Sequence, residues 1–282
     1  MHFSRPEADI FVPAGGDAAT ALARTTHLCV IAHQDDIEIN AWPAVAACYG
    51  RTDRFFTGVV VTNGAGSPRT GPYANYTDDQ MKLVRVEEQR EAARIGKYNL
   101  QLQLAHPSAD VKRPGHPGVL ADLKAIFSAC RPEIVYLHQP LDKHDTHVGV
   151  MLRSLEAIRA LPKAQRPKRV LGVEAWRGLD WLLDDEKVPM DCGDNTELAL
   201  RLIQVFKSQV VGGKRYDIAS IGRRQSNATF HASHATDTFT QVAWALDLTP
   251  LVQDETLSIK DFALDRVDRL RADTANRLSK LT

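Results

Sequence analysis

Residues 27–40 read "HLCVIAHQDDIEIN". The run from His27 to Ala32 is of strand length, mostly apolar and without polar alternation, the pattern of a strand buried on both faces. His33, Asp35 and Asp36 follow at once. A histidine and two adjacent carboxylates at a strand tip are poor packing material. The carboxylates repel, and a desolvated one is costly unless something positive compensates. A divalent cation would compensate, and would also activate a water molecule.

Four more stretches have strand character: 55–62, 100–105, 133–138 and 169–176. Helical patterns fall between and after them, at 42–50, 77–95, 147–161, 197–210 and from 260 to near the end. Thr77 with Gln80 makes a capping box for the second of these. Strand alternating with helix predicts an α/β, Rossmann-like fold, a mostly parallel sheet with helices on both faces. We read residues 1–282 as one domain, less regular from about 165. In such folds ligands gather at the carboxyl ends of the strands. His33 follows the first predicted strand and "DKHDTHVGV", 142–150, follows the fourth, so both clusters belong on one rim.

Composition narrows the function classes. Lys plus Arg is 35 and Asp plus Glu is 35, so no global field draws the chain to nucleic acid. No apolar stretch reaches the about 18 residues of a membrane span. The first twenty residues lack a signal-peptide layout, and Cys29, Cys48, Cys130 and Cys192 form no CxxC pair. Reduced, mostly buried cysteines and a cytoplasmic location are expected.

In the second cluster His144 and His147 stand three apart, beside Asp142 and Asp145. Either carboxylate could accept an imidazole N–H and fix its tautomer. Catalytic zinc takes three protein ligands and leaves a position for water. His33, Asp36 and one of the two histidines would make such a set. Asp35, adjacent and unligated, could take a proton from the water. The remaining histidine could protonate a leaving amine or stabilise an oxyanion.

"AHQDD" followed by H-x-x-H resembles the PIG-L, or LmbE-like, zinc deacetylases, whose signature is AHPDDE followed by HPDH. Members have a Rossmann-like fold and remove acetyl groups from N-acetylglucosamine-type sugars. The resemblance implies that His33, Asp36 and His147 hold Zn2+, that Asp35 is the general base, and that His144 is the second catalytic group. It implies that Arg85, in "RVEEQREAARIG", touches an amino-sugar substrate. "SQ" at 208–209 echoes a late Ser/Thr-Gln of the family. Four positions depart from the signature. Gln34 replaces proline, which is expected to loosen the turn. Ile37 takes the glutamate position, with Glu38 next to it. Asp145 and Thr146 stand for Pro-Asp, which shifts the carboxylate that orients the catalytic histidine, here Asp145, by one residue.

Other motifs carry less. Arg223-Arg224 reads as a solvated face. The polar stretch around 208–237 reads as a loop, over the substrate or on the surface. His231 and His234 repeat HxxH without an acidic partner of known geometry, which is weak warrant for a second metal. "NGAGS" (63–67) reads as a turn at a strand end rather than a dinucleotide motif. Three readings of function follow: a zinc-dependent N-deacetylase, a zinc-dependent hydratase of an unsaturated carboxylic acid, and a non-catalytic sugar- or nucleotide-binding module.

Overall fold

Within the computed structural model, which describes residues 1–174, 176–232 and 234–282, one eight-stranded sheet runs through the molecule. The chain begins with β1 (Asp9–Phe11), α1 (Ala18–Ala23), β2 (His27–Ile31), α2 (Asp36–Asn40), α3 (Trp42–Cys48) and β3 (Phe56–Thr62). It continues through α4 (Asp78–Ile95), β4 (Leu100–His106), α5 (Ser108–Lys112), α6 (Pro117–Ala129), β5 (Ile134–His138) and α7 (Asp145–Arg159). The rest comprises β6 (Arg169–Val173), β7 (Lys187–Asp191), α8 (Thr196–Gln204), α9 (Lys207–Val210), α10 (Tyr216–Phe230), β8 (Val242–Asp247), α11 (Thr249–Gln253) and α12 (Ile259–Leu281). No helix among the described residues is long and apolar enough to cross a membrane.

The strand order is β1-β4-β3-β2-β5-β6-β8-β7. The five strands read from sequence are the five parallel ones, β2 to β6, at the centre. All of β2 is buried. Leu28 and Val30 enter the core beneath α6 and α7, whereas Cys29 and Ile31 enter the core beneath α2, α3 and α8. That two-sided burial is why the run shows no polar alternation. The chain steps from β2 through β3 to β4 on one side and returns to β5 on the other. The crevice between the carboxyl ends of β2 and β5 is therefore the topological switch point, where open α/β sheets bind ligands.

The structure departs from the sequence reading at several places. β1, β7 and β8 are antiparallel additions. The predicted strand 169–176 stops at Val173, and Ala175 lies outside the described residues. The helix expected over 197–210 is broken at Phe206, whose ψ of 65° is not helical and whose ring is buried in the core. The polar stretch taken as a loop contains α10, and Ser233 within it lies outside the described residues. The four cysteines are free and buried, as expected.

Candidate metal centre and active site

The peptide after β2 turns sharply. Asp35 has φ 89° and ψ −27°, left-handed backbone that a residue with a Cβ seldom adopts. The turn sends the neighbouring carboxylates to different partners. Asp36 Oδ2 accepts the His33 backbone N–H at 2.8 Å and lies 3.2 Å from His33 Nδ1. Asp35 Oδ2 lies 3.2 Å from the Arg85 guanidinium on α4. From the other side of the crevice, His147 on the first turn of α7 brings its Nε2 to 3.3 Å from Asp36 Oδ2 and 3.3 Å from His33 Nδ1.

His33, Asp36 and His147 thus present one atom each in a nearly equilateral triangle. Asp142 fixes the tautomer of His147. Its Oδ2 accepts from Nδ1 at 2.9 Å, so Nδ1 keeps its hydrogen and Nε2 is the nitrogen that offers a lone pair when a cation takes the place of its proton. The triangle is then made of electron-pair donors facing inward. Bonds of about 2.0–2.1 Å at tetrahedral angles place zinc ligand atoms about 3.3 Å apart, which is the spacing found. The electrostatics agree. Burial disfavours a charged His147, yet Asp36 and Asp142 hold its pKa up at about 10, so the position between them demands positive charge. Burial would also raise Asp36, but His147 and His33 keep it well below the usual carboxylate range. The residues present fit a divalent cation.

Asp35 stands outside the triangle. Burial raises its pKa to about 6, a rise limited by Arg85 and increased by Asp36. His144 caps α7, its Nδ1 accepting from Thr146 N–H at 3.3 Å. Its ring lies 5.0 Å from that of His33, and burial followed by the nearby histidines lowers its pKa. Arg85 is only 2% exposed. Its guanidinium engages Asp35, Glu88, Ser208 and the carbonyl of Gln34, so in this structure it is committed to the site's own framework although it borders the pocket. Ser208, half of the "SQ" pair, completes that framework by donating to Glu88 at 2.7 Å.

Of the two candidate orienting carboxylates, the buried Asp142 is the one bonded to an imidazole, and that imidazole is His147. Asp145 is exposed at the start of α7. Gln34 does not loosen the turn: fully buried, it donates to Gln103 at 3.1 Å. Arg224 is not on a solvated face. It is buried and donates to the carbonyls of Glu38 and Ile39, closing the C-terminal end of α2. "NGAGS" is a turn, as read. Gly64 has φ +70°, and a Cβ there would stand 2.7 Å from Gln34 Oε1 and 3.1 Å from Arg85. His231 packs on Trp244 at 4.2 Å, and neither it nor His234 belongs to a metal-capable cluster among the described residues.

Sequence reasoning missed His138, the last residue of β5. Its Nε2 accepts from Ala32 N–H at 2.9 Å, and its ring stacks on His147 at 3.9 Å. Burial and the nearby His147 push its pKa well down, so it is a neutral plate behind the His147 ring. Its position at the carboxyl end of the strand beside β2 was the available signal. The cluster floors a pocket of about 670 Å3. Trp176 and Tyr216 line its wall, 6.3 Å apart, and Lys112, Lys214 and Arg223 line its rim. α10 thereby serves the pocket that the polar stretch was suspected of covering.

Residues 28–158 match the family model described as PIG-L, GlcNAc-PI de-N-acetylase. No curated protein sequence matches the chain. Among solved structures, a conserved protein from Thermus thermophilus is 17% identical with a TM-score of 0.62, covering 80% of this chain and 95% of its own. The 4-carboxy-2-hydroxymuconate hydratase GalB from Pseudomonas putida is 18% identical with a TM-score of 0.61, covering 79% and 96%. The N,N'-diacetylchitobiose deacetylase from Pyrococcus horikoshii is 16% identical with a TM-score of 0.61, covering 82% and 86%. At these identities the likeness is one of fold. The family model spans β2 to α7, and with it both halves of the triangle, so it is over residues 28–158 that the chain is similar to the PIG-L, LmbE-like proteins.

Proposed function

We propose that this protein is a zinc-dependent hydrolase that removes an acetyl group from an N-acetylated amino sugar. The observation that carries the reading is the triangle of His33, Asp36 and His147 with an unligated carboxylate, Asp35, at its edge. The family-model match over residues 28–158 and the deacetylases among the similar folds support it. His33, Asp36 and His147 would hold the ion. When bound, it supplies Lewis-acid polarisation of the amide carbonyl and lowers the pKa of a water molecule.

Asp35 acts as general base, taking the proton as the water oxygen attacks the amide carbon. Burial makes the Asp35 carboxylate a stronger base than a free one, which suits it to the transfer. Arg85 holds the Asp35 carboxylate in place. Asp142 holds the His147 ring. His144, half-open to the pocket, is placed to hold the developing oxyanion or to return a proton to the departing amine. Trp176 and Tyr216 offer apolar faces on which a pyranose ring can lie.

The test is metal analysis of the purified protein followed by a screen of N-acetylated sugars for free amine and acetate. Asp36→Ala and His147→Ala are expected to lose metal. Asp35→Asn is expected to keep metal and lose at least about a hundredfold in kcat, the usual scale of general-base catalysis. Equal metal loss in all three variants would overturn the assignments. Consumption of an unsaturated carboxylic acid without acetate release would identify a hydratase instead.

A further inference from the structure

The left-handed conformation of Asp35 needs a cause. Such a conformation in a residue with a Cβ persists only where the surroundings over-determine it. The peptide group joining Gln34 to Asp35 is held at both of its polar ends by one helix. Its carbonyl accepts from the Arg85 guanidinium, and its N–H donates to Gln89 Oε1 at 3.2 Å. Arg85 and Gln89 are four residues apart on α4, one turn along the same face.

Gln89 is itself fixed. Its Nε2 donates to Glu38 Oε1 at 2.9 Å, and the Tyr98 hydroxyl donates to the same oxygen at 2.6 Å. Gln89, Glu38 and Tyr98 are all at most 2% exposed. The amide cannot turn over without setting its NH2 against the Asp35 N–H and its oxygen against the Glu38 carboxylate. None of the three residues lines the pocket.

We propose that Gln89 is a positioning residue: with Arg85 it clamps the 34–35 peptide and so aims the Asp35 carboxylate, while Glu38 and Tyr98 lock its amide. This rests on the reading of Asp35 as the base. Gln89 touches neither substrate nor ion, and it acts by keeping the two adjacent carboxylates on separate tasks. Truncating it leaves His33, Asp36 and His147 in place but frees the peptide that orients Asp35.

The experiment compares Gln89→Leu, Gln89→Glu and the exchange variant Glu38→Gln/Gln89→Glu with wild type and Asp35→Asn, all in the full-length, metal-loaded protein. Gln89→Leu is expected to keep metal content and KM and to lose roughly tenfold to hundredfold in kcat, the effect of misplacing a reacting group. It is also expected to speed hydrogen exchange at the Asp35 N–H. Gln89→Glu sets two carboxylates against each other and is expected to lose kcat as well. The exchange variant restores an N–H···O link between positions 38 and 89 and an acceptor for Asp35 N–H, with the Tyr98 hydroxyl turned from donor to acceptor, and it is expected to recover part of that loss. A role in packing alone would not predict this recovery. Wild-type kcat and wild-type exchange in Gln89→Leu would overturn the clamp, as would a correctly folded exchange variant no faster than Gln89→Glu. If Asp35→Asn keeps wild-type kcat, the base assignment fails, and the exchange rate in Gln89→Leu decides the clamp by itself.

Discussion

Asp142→Asn separates the two candidate orienting carboxylates and puts a number on the supporting contact. Asp142 uses both oxygens: Oδ2 accepts from His147 Nδ1 at 2.9 Å and Oδ1 from the His144 backbone N–H at 2.8 Å. An asparagine has one acceptor oxygen, so one of these N–H groups must lose its partner. Both side chains of the ring contact are at most 2% exposed, so water cannot replace it. Removing such a carboxylate behind a metal-bound histidine typically costs about 10–100-fold in metal affinity, or about 1.4–2.7 kcal/mol. The assay is competition with a chelator, read as the Kd of the variant against wild type. Asp145→Asn, altering an exposed residue at the start of α7, is the control and should bind metal as wild type does. Unchanged affinity in Asp142→Asn, or an equal loss in Asp145→Asn, would refute the assignment.

Two further predictions concern the frame that holds the site. Asp122 accepts from His106 at 2.9 Å, from the Ser4 hydroxyl at 2.7 Å and from the Ser4 N–H at 2.8 Å. Burial would raise its pKa, but these partners bring it below the usual 3.8. An acid with a depressed folded pKa stabilises the fold above its unfolded pKa and loses that contribution as pH falls through the folded one. Asp122→Asn should therefore cost about 1.5–3 kcal/mol near pH 7, the worth of hydrogen bonds to a charged group. The gap should narrow below about pH 4, as followed by urea denaturation; a gap constant with pH would show that charge is not the cause. Gly149→Ala, although it favours the helical backbone, places a Cβ 2.9 Å from the Val111 carbonyl where α7 crosses α5. A net destabilisation of about 1–3 kcal/mol is expected in denaturant, and wild-type stability would show that α5 can yield.

The centre of the fold could be read in the sequence because burial on both faces leaves uninterrupted apolar runs. The edges could not, for separate reasons. β1 is three half-buried residues. β7 contains Pro189, which argues against a strand except at a sheet edge, where β7 lies. α10 was hidden by its polarity: it buries Asp217, Ser220 and Arg224 rather than an apolar stripe. The candidate triangle was legible because His33 and Asp36 directly follow β2 and His147 opens the helix that follows β5, on the two sides of the switch point. His138 was not, because a histidine closing an apolar run looks like the end of a strand. Asp142 and Asp145 could not be separated by spacing alone, since the choice depends on which way the loop before α7 carries each side chain.

The departures at 34, 37 and 38 make sense together. Ile37 is fully buried and its Cδ1 stands 2.6 Å from where a Cβ on Gly58 would be, so β3 accommodates it by having no side chain there. With Ile37 directed into that core, the carboxylate falls one position later, on Glu38, where Tyr98 and Gln89 receive it. Gln34 needs an acceptor that a proline would not, and Gln103 of β4 provides one. Gln103 in turn donates to the Val86 carbonyl of α4, and Gly64 leaves room for both Gln34 and Arg85. This is why "LQLQLA" alternates although both faces of β4 are covered: its glutamine face meets α4 and the signature turn rather than water. α4 reaches that turn through Arg85, Gln89 and, by way of Gln103, Val86, so the shape of the signature turn is set by a helix about fifty residues later in the chain.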